Sequence, residues 1–311
     1  MGLDVSVPLL VFGVVLLFRG GNMAVAGADR LSATLSIPAS LTGVLVLGLG
    51  TSLPELLVSG LAAARGAPGL AIGNVVGSNI QNILLVLGAV SLLRPLSGLS
   101  GNLRLDAAAL SLLTGVAAVV LADGALSSWE ALPLAGTACT WLGLTLAVAK
   151  RNPGPPPDDQ ADGLPLPAVA AQSVLGLGMT LIGAELVVRA ALATAGSLGL
   201  ASSLLGLTVV ALGTSLPEFA TTAAAAVRGR SGMAVGNVVG SNIYNLGLVL
   251  PVTAFGPPPA ESSPTWGPHL AVMALATLAL LPTLVFTRRL GRAQGVLLLL
   301  GLIGWLWIVP P

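Results

Sequence analysis

Charge, cysteine, histidine and aromatic side chains are all scarce in this sequence, and each scarcity removes a class of protein. Only 8% of the 311 residues are charged, while 55% are hydrophobic. A soluble domain carries about 25% charged residues, so the chain reads as an integral membrane protein, consistent with a mean hydropathy of +0.95. Cys139 is the only cysteine, which excludes an intrachain disulfide and any thiolate metal cluster. His269 is the only histidine, and its place at a Pro-rich loop edge marks it as interfacial rather than a metal ligand. The net charge of +1 comes without a basic patch, so nothing points to nucleic acid. The N-terminus lacks a basic leader region, and its first apolar stretch is expected to be a true span rather than a cleaved signal.

What the chain has in abundance is apolar segments long enough to cross a bilayer, roughly 17–25 residues each. They fall at 7–28, 39–63, 70–93, 105–122 and 131–149, and again at 168–190, 202–226, 233–255, 268–286 and 293–309. Between the two sets runs a polar linker, 150–167, with the run Pro155-Pro156-Pro157-Asp158-Asp159. The expectation is an all-α membrane protein of ten transmembrane helices in a single transporter domain, residues 1–149 and 168–311 forming two five-helix halves.

The halves repeat. Shifting residues 43–87 by 163 positions lays them on 206–250 without a gap, with 27 of 45 positions identical. Gly50-Thr51-Ser52-Leu53-Pro54-Glu55 returns as Gly213-Thr214-Ser215-Leu216-Pro217-Glu218. Gly73-Asn74-Val75-Val76-Gly77-Ser78-Asn79-Ile80 returns as the identical octapeptide beginning at Gly236. Basic residues fix the orientation. Loops 1–2, 3–4, 5–6, 7–8 and 9–10 carry Arg30, Arg94, Arg104, Lys150, Arg151, Arg228, Arg230, Arg288, Arg289 and Arg292. The opposite side has Arg65, with Arg189 near a span end. By the positive-inside rule the first set and the linker 150–167 are cytoplasmic, and both termini lie outside. Five spans per copy is an odd number, so the copies enter the membrane in opposite senses. This is an inverted-topology repeat, for which a site at the midplane between the copies is expected.

The repeated motifs carry chemistry. A carboxylate at the centre of a span costs about 2.5–3.5 kcal/mol on insertion scales and is rarely placed there without a task. Pro54 cannot donate the helical hydrogen bond to Gly50, nor Pro217 to Gly213, so each span opens at membrane depth and frees carbonyl oxygens. Thr51, Ser52 and Glu55, and in the second copy Thr214, Ser215 and Glu218, fall within a turn of those breaks. Asn74, Ser78 and Asn82 recur at a spacing of four and share one face, as do Asn237, Ser241 and Asn245. The competing reading is interhelical hydrogen-bond glue, but the duplicated set exceeds what packing requires. Neutralisation of the glutamates by Arg19 and Arg189 is disfavoured because neither arginine is repeated, their equivalents being Ile182 and Ala26. Glu185 and Arg189 form an i,i+4 pair read as structural. Arg19 has no assigned role. Oxygen ligands without nitrogen or sulfur suit Ca²⁺ and Na⁺. Two glutamates neutralise one Ca²⁺ or two Na⁺, which makes exchange of one load for the other the natural mechanism, with spans 1 and 6 as the sliding elements.

These residues resemble the cation/Ca²⁺ antiporter superfamily, most closely prokaryotic sodium/calcium exchangers, over essentially the whole chain. The resemblance implies Na⁺-driven Ca²⁺ exchange at cation sites clustered between spans 2, 3, 7 and 8, in a cell (inner) membrane protein that is no enzyme and carries no cofactor. Its partners would be the transported ions and the lipid bilayer, and its working unit a monomer. By position, Glu55 and Glu218 resemble the central Ca²⁺ ligands, aided by the carbonyls of Thr51 and Thr214. Ser52, Ser215, Ser78 and Ser241, with the Thr51 and Thr214 hydroxyls, resemble flanking Na⁺ ligands, and Gly48 and Ala211 match positions that contribute carbonyl oxygens. Relatives commonly pair Asn with an acid at the positions of Asn82 and Asn245, whereas both are Asn here, removing one titratable group. Relatives often have Glu at both Asn22 and Glu185. The alternative is H⁺/Ca²⁺ or K⁺-dependent exchange on the same two glutamates, disfavoured for protons because protons need no hydroxyl flanks. An intramembrane hydrolase with a carboxylate pair leaves the duplicated hydroxyls and proline breaks unexplained. A channel accounts less well than a carrier for broken helices in an inverted repeat.

Overall fold

A computed structural model describes residues 3–99, 102–151, 164–197, 213–256 and 266–308. Apart from one pair of two-residue strands, the described chain is helical. In order, the helices are α1 (Leu3–Thr34), α2 (Ala39–Ala64), α3 (Pro68–Leu93), α4 (Leu103–Val120) and α5 (Ser128–Arg151). Then come α6 (Leu166–Ser197), α7 (Leu216–Val227), α8 (Ser231–Thr253), α9 (Gly267–Thr287) and α10 (Arg292–Ile308). Eight of these are long and apolar enough to cross a membrane, and Arg292–Trp307 is a shorter apolar helix. Of the stretch 202–226 only the part from residue 213 is described, and most of the linker also lies outside the described residues.

Burial follows composition. In their most apolar windows α8 is 94% and α3 78% buried, against 22% for α5, so α3 and α8 form the centre and α5 lies at the periphery. Small and β-branched residues line α8 where α2 crosses it at close range. A Cβ on Gly240 would stand 3.0 Å from the Val44 backbone, and one on Gly236 would stand 2.6 Å from the Ser40 carbonyl. Small-xxx-small spacing permits that approach.

A second close contact joins α1 to α6. Gly13, Gly20 and Gly27 recur at intervals of seven and face Gly183, Thr180 and Ser173 respectively, so the two helices run antiparallel. A Cβ on Gly20 would stand 2.5 Å from the Thr180 nitrogen. At 1.5 Å per residue these 32-residue helices are about 48 Å long, well beyond the roughly 30 Å of hydrocarbon they would cross.

One end of the bundle gathers the arginines. Arg230 pairs with Asp29 at 2.8 Å, Arg30 donates to Gln172 at 2.8 Å, and Arg94 donates to the Val227 carbonyl. Arg292 donates to the Leu92 carbonyl at 3.2 Å, and β1 (Leu96–Ser97) pairs antiparallel with β2 (Arg289–Leu290) at the same end. The opposite end holds the α2–α3 and α4–α5 turns, where Gly256 lies against Ala63 and Ser128 donates to the Ala254 carbonyl at 3.2 Å. Thus α2 ends at one face of the bundle and α7 at the other. Both end alike, on left-handed Gly66 and Gly229 (φ 75° and 76°). Each turn is closed by paired bonds, Ala67 to Ala62 and Arg230 to Ala225, both at 2.9 Å.

Candidate cation site

Each proline-containing motif breaks its span as the sequence suggests, and the break falls on the serine. Ser52 (φ −80°, ψ 0°) and Ser215 (φ −87°, ψ −2°) interrupt the helix, which restarts with Pro54 or Pro217 in its first turn. Glu55 and Glu218 therefore stand at helix N-termini, where the dipole favours a negative charge, and both are fully buried. The partner helices contribute a second irregularity that the residue pattern did not disclose. A π-helical turn begins at Asn82 in α3 (Asn82–Leu87) and at its repeat equivalent Asn245 in α8 (Asn245–Val249). A third covers Gly43–Gly48 in α2. Such turns widen the helix by one residue and recur at functional sites.

The motifs meet crosswise. The Thr51 hydroxyl lies 3.1 Å from Ser241 Oγ, and Ser78 Oγ lies 3.4 Å from Thr214 Oγ1, the same contact made twice by exchanged halves. The hydroxyls of Ser78 and Thr214 bear on Glu55, those of Thr51 and Ser241 on Glu218, and the two carboxylates repel each other. Thr51 donates to the Leu47 carbonyl at 3.0 Å, and Ser241 to the Gly48 carbonyl at 3.2 Å. Directing the single hydroxyl proton to a carbonyl leaves the oxygen lone pairs for another partner.

Against this stands a set of buried oxygens that meet no donor. Among the described residues, both carboxylate oxygens of Glu55 and Glu218, the Ser52 and Ser215 hydroxyls, Asn82 Oδ1 and both polar atoms of Asn245 have no hydrogen-bond partner. At about 1–3 kcal/mol for each such atom, the set would cost as much as the whole stability of an ordinary domain. Nearly all are oxygens, converging from α2, α3, α7 and α8. A hard cation satisfies such a set. No group of three or more His, Cys, Asp or Glu occurs among the described residues, so the centre holds two carboxylates surrounded by neutral oxygens.

Of the sequence-derived residues, Thr51, Ser52, Glu55, Ser78, Asn82, Thr214, Ser215, Glu218, Ser241 and Asn245 are all buried in this centre. Gly48 is there too, its carbonyl already accepting from Ser241 Oγ and, at 3.3 Å, from the Ser52 N–H. Ala211 lies outside the described residues. The amide nitrogens of Asn74 and Asn237 turn away from the centre, while Asn237 Oδ1 accepts from the Thr51 hydroxyl at 3.4 Å. Asn74 donates to Ser59 at 3.0 Å, while Asn237 donates to Thr221 and Thr222 at 2.9 and 2.8 Å. Asn74 is thereby interhelical glue, whereas Asn237 also touches the centre through Thr51. Arg189 pairs with Glu185 at 2.6 Å rather than with either central glutamate. Arg19 is exposed on α1, and nothing in the structure explains it. His269 accepts from Trp305 Nε1 at 3.2 Å, an aromatic contact at the end of α9.

A cavity of about 290 Å³ opens beside the centre, lined by Pro54 and Val58 of α2, by Leu181 to Arg189 of α6, and by Gly213, Thr214 and Pro217. It occupies the half of the bundle away from the arginine-rich end. Residue types alone do not signal it, because those that line it are apolar apart from the Glu185–Arg189 pair and Thr214.

Fold and centre together define a class: a polytopic helical membrane protein with a buried oxygen-donor centre. Residues 5–147 and 169–309 each match the family model described as sodium/calcium exchanger protein, and the chain belongs to that family. It is 36% identical to the putative antiporter CaxA of Alkalimonas amylolytica and 35% identical to the inner membrane protein YrbG of Escherichia coli K12, over 98% of this chain and of each relative. Among solved structures it is similar to the sodium-calcium exchanger NCX_Mj soaked with 10 mM Na⁺ and 10 mM Sr²⁺, with a TM-score of 0.86, 32% identity and 100% of each chain covered.

Proposed function

We propose that the protein is a secondary active antiporter that exchanges Na⁺ for Ca²⁺ across the cell membrane at one centre shared by its two halves. The observation that carries this reading is the crosswise meeting of the motifs, Thr51 with Ser241 and Ser78 with Thr214, around two buried carboxylates that meet no donor. Glu55 and Glu218 supply two negative charges, enough to neutralise one Ca²⁺ or two Na⁺. The hydroxyls of Thr51, Ser52, Ser78, Thr214, Ser215 and Ser241 flank them and serve Na⁺. Competition for the same oxygens makes simultaneous full loading impossible, and the empty, doubly charged centre crosses poorly, so one load leaves only as the other arrives.

Ten spans in two inverted five-helix halves complete the picture. Supporting it, one family model matches each half, and α2 and α7 end at opposite faces of the bundle. The gathering of arginines at one end makes that end cytoplasmic by the positive-inside rule, with both termini outside. Alternating access then proceeds by sliding α1 and α6, joined along their glycine seam, past the remaining helices. The monomer contains every residue this scheme needs.

The test is Ca²⁺ uptake by proteoliposomes under an outward Na⁺ gradient and, separately, under an outward proton gradient. Uptake driven by Na⁺ and not by protons is the expected result. Uptake driven by protons alone would replace this reading with H⁺/Ca²⁺ exchange, and a requirement for K⁺ would make the exchange K⁺-dependent.

A further inference from the structure

The two central amides, Asn82 and Asn245, come from identical motifs, yet the structure treats them differently. Asn242 donates through Nδ2 to the backbone carbonyl of Asn79 at 3.2 Å. A carbonyl only accepts, so this contact fixes the amide of Asn242 and turns its Oδ1 outward. Asn82 meets that oxygen with Nδ2 at 3.0 Å. The remaining atom of Asn82, Oδ1, is buried and without a partner. The chain from carbonyl to amide to amide therefore leaves Asn82 one orientation, with its oxygen free for a cation.

Among the described residues the equivalent chain is absent on the other side. Asn79, the repeat mate of Asn242, bends back and donates to the Val75 carbonyl of its own helix at 2.8 Å. Its Oδ1 has no partner, and neither polar atom of Asn245 has one. All four amides are buried, none more than 1% exposed. Asn245 is consequently unpinned, able to turn either its oxygen or its N–H toward the centre.

We infer that Asn242 is a positioning residue that fixes Asn82 as a preorganised oxygen ligand, while Asn79, despite its identical sequence context, has no such role toward Asn245. The inference rests on the exchange reading above. In an orienting role, Asn242 acts on affinity through Asn82 and leaves the rate of the loaded carrier alone. Freed of Asn242, the Asn82 amide samples both orientations and must be ordered by the cation itself, a cost taken from binding.

The experiment measures Na⁺-driven Ca²⁺ uptake in proteoliposomes, with thermal stability recorded for every variant. Asn242→Ala should raise the Ca²⁺ concentration for half-maximal uptake by about tenfold, the equivalent of one hydrogen bond, with maximal rate unchanged. Asn242→Leu, equal in side-chain heavy atoms and branching, replaces the alanine variant if that one does not fold. Asn79→Ala should leave the half-maximal concentration unchanged. In an Asn82→Ala background, Asn242→Ala should have no further effect on it. Equal shifts from Asn79→Ala and Asn242→Ala, or a fall in maximal rate or stability without a shift in affinity, would overturn the positioning role. Glu55→Gln is the control for the underlying reading. If uptake survives it, the exchange centre is elsewhere and both proposals fall together; if uptake is lost, the Asn242 series decides the positioning role alone.

Discussion

At the scale of single residues, the centre is defined by polar atoms that lack partners. Asn237 shows the ordinary solution for a buried amide in this bundle, its Nδ2 donating to Thr221 and Thr222 at 2.9 and 2.8 Å. Glu55 and Glu218 have no such solution among the described residues, and the proposed exchange delivers the missing charge to them. Glutamine at either position keeps the shape and removes the charge. Glu55→Gln and Glu218→Gln should each lower Ca²⁺ uptake by at least about a hundredfold, given that pairing a buried charge is worth several kcal/mol, while the purified protein stays monodisperse. Asn74→Ala gives the contrast. It removes the 3.0 Å bond to Ser59, worth about 0.6 kcal/mol on average within membranes, and should lower the melting temperature slightly with uptake preserved. Uptake lost in Asn74→Ala as completely as in the glutamine variants would mean that the site had been drawn too narrowly. Much of this is legible in the sequence, because a repeated acid inside an apolar span is conspicuous in any chain. The division of labour among the asparagines is not. Asn79 and Asn242 sit in the same octapeptide, and only tertiary contact decides that one bends back to its own helix while the other reaches across.

Helices carry the next level of information. Their approximate limits follow from hydropathy, and the proline breaks follow from a missing N–H, but the seat of each break on Ser52 and Ser215 does not. The π-turns at Asn82 and Asn245 leave no mark in the periodicity, since an extra residue in one turn hardly disturbs an already apolar pattern. The glycines of α1 and α6 are likewise present in the sequence without declaring a function. Gly13, Gly20 and Gly27 bring the two helices to backbone contact, and Gly178, on the same helix as their partners, has nothing within 4 Å. That difference sets up an internal comparison. Gly20→Val should force α1 and α6 apart at a cost of about 1–3 kcal/mol for overpacking, seen as a lower melting temperature in detergent and slower exchange. Gly178→Ala should be neutral or stabilising by up to about 1 kcal/mol, the helix penalty of glycine. Should both substitutions prove equally harmless, the seam would not be a close-packed element and its role in sliding would lose its basis.

Across the whole molecule, a repeated sequence has folded into an unsymmetrical structure, and the asymmetry has a direction. Gly21 of α1 packs on α7 so closely that a Cβ would stand 3.1 Å from the Ala220 carbonyl carbon. The repeat mates of Gly21 and Ala220 are Ala184 on α6 and Leu57 on α2, and between those two helices there is instead the cavity of about 290 Å³. One side of the centre is thus packed closed, and the repeat-related place, on the side away from the arginines, holds a cavity. Val58 lines the cavity, whereas its mate Thr221 is fully buried on the packed side. Two halves whose central stretches agree at 27 of 45 positions should be able to exchange these arrangements, with the packing that opens on one side re-forming at the repeat-related positions on the other. Cysteine labelling makes this measurable, after the single exposed Cys139 is replaced by alanine. A membrane-impermeant thiol reagent added outside should modify Val58→Cys and spare Thr221→Cys. From the cytoplasmic side Thr221→Cys should become reactive only when the ion gradients draw the carrier inward, and Val58→Cys should then be protected. Reaction of both cysteines from both sides at once would describe a channel, and labelling indifferent to Na⁺ and Ca²⁺ would mean that the asymmetry is fixed rather than exchanged.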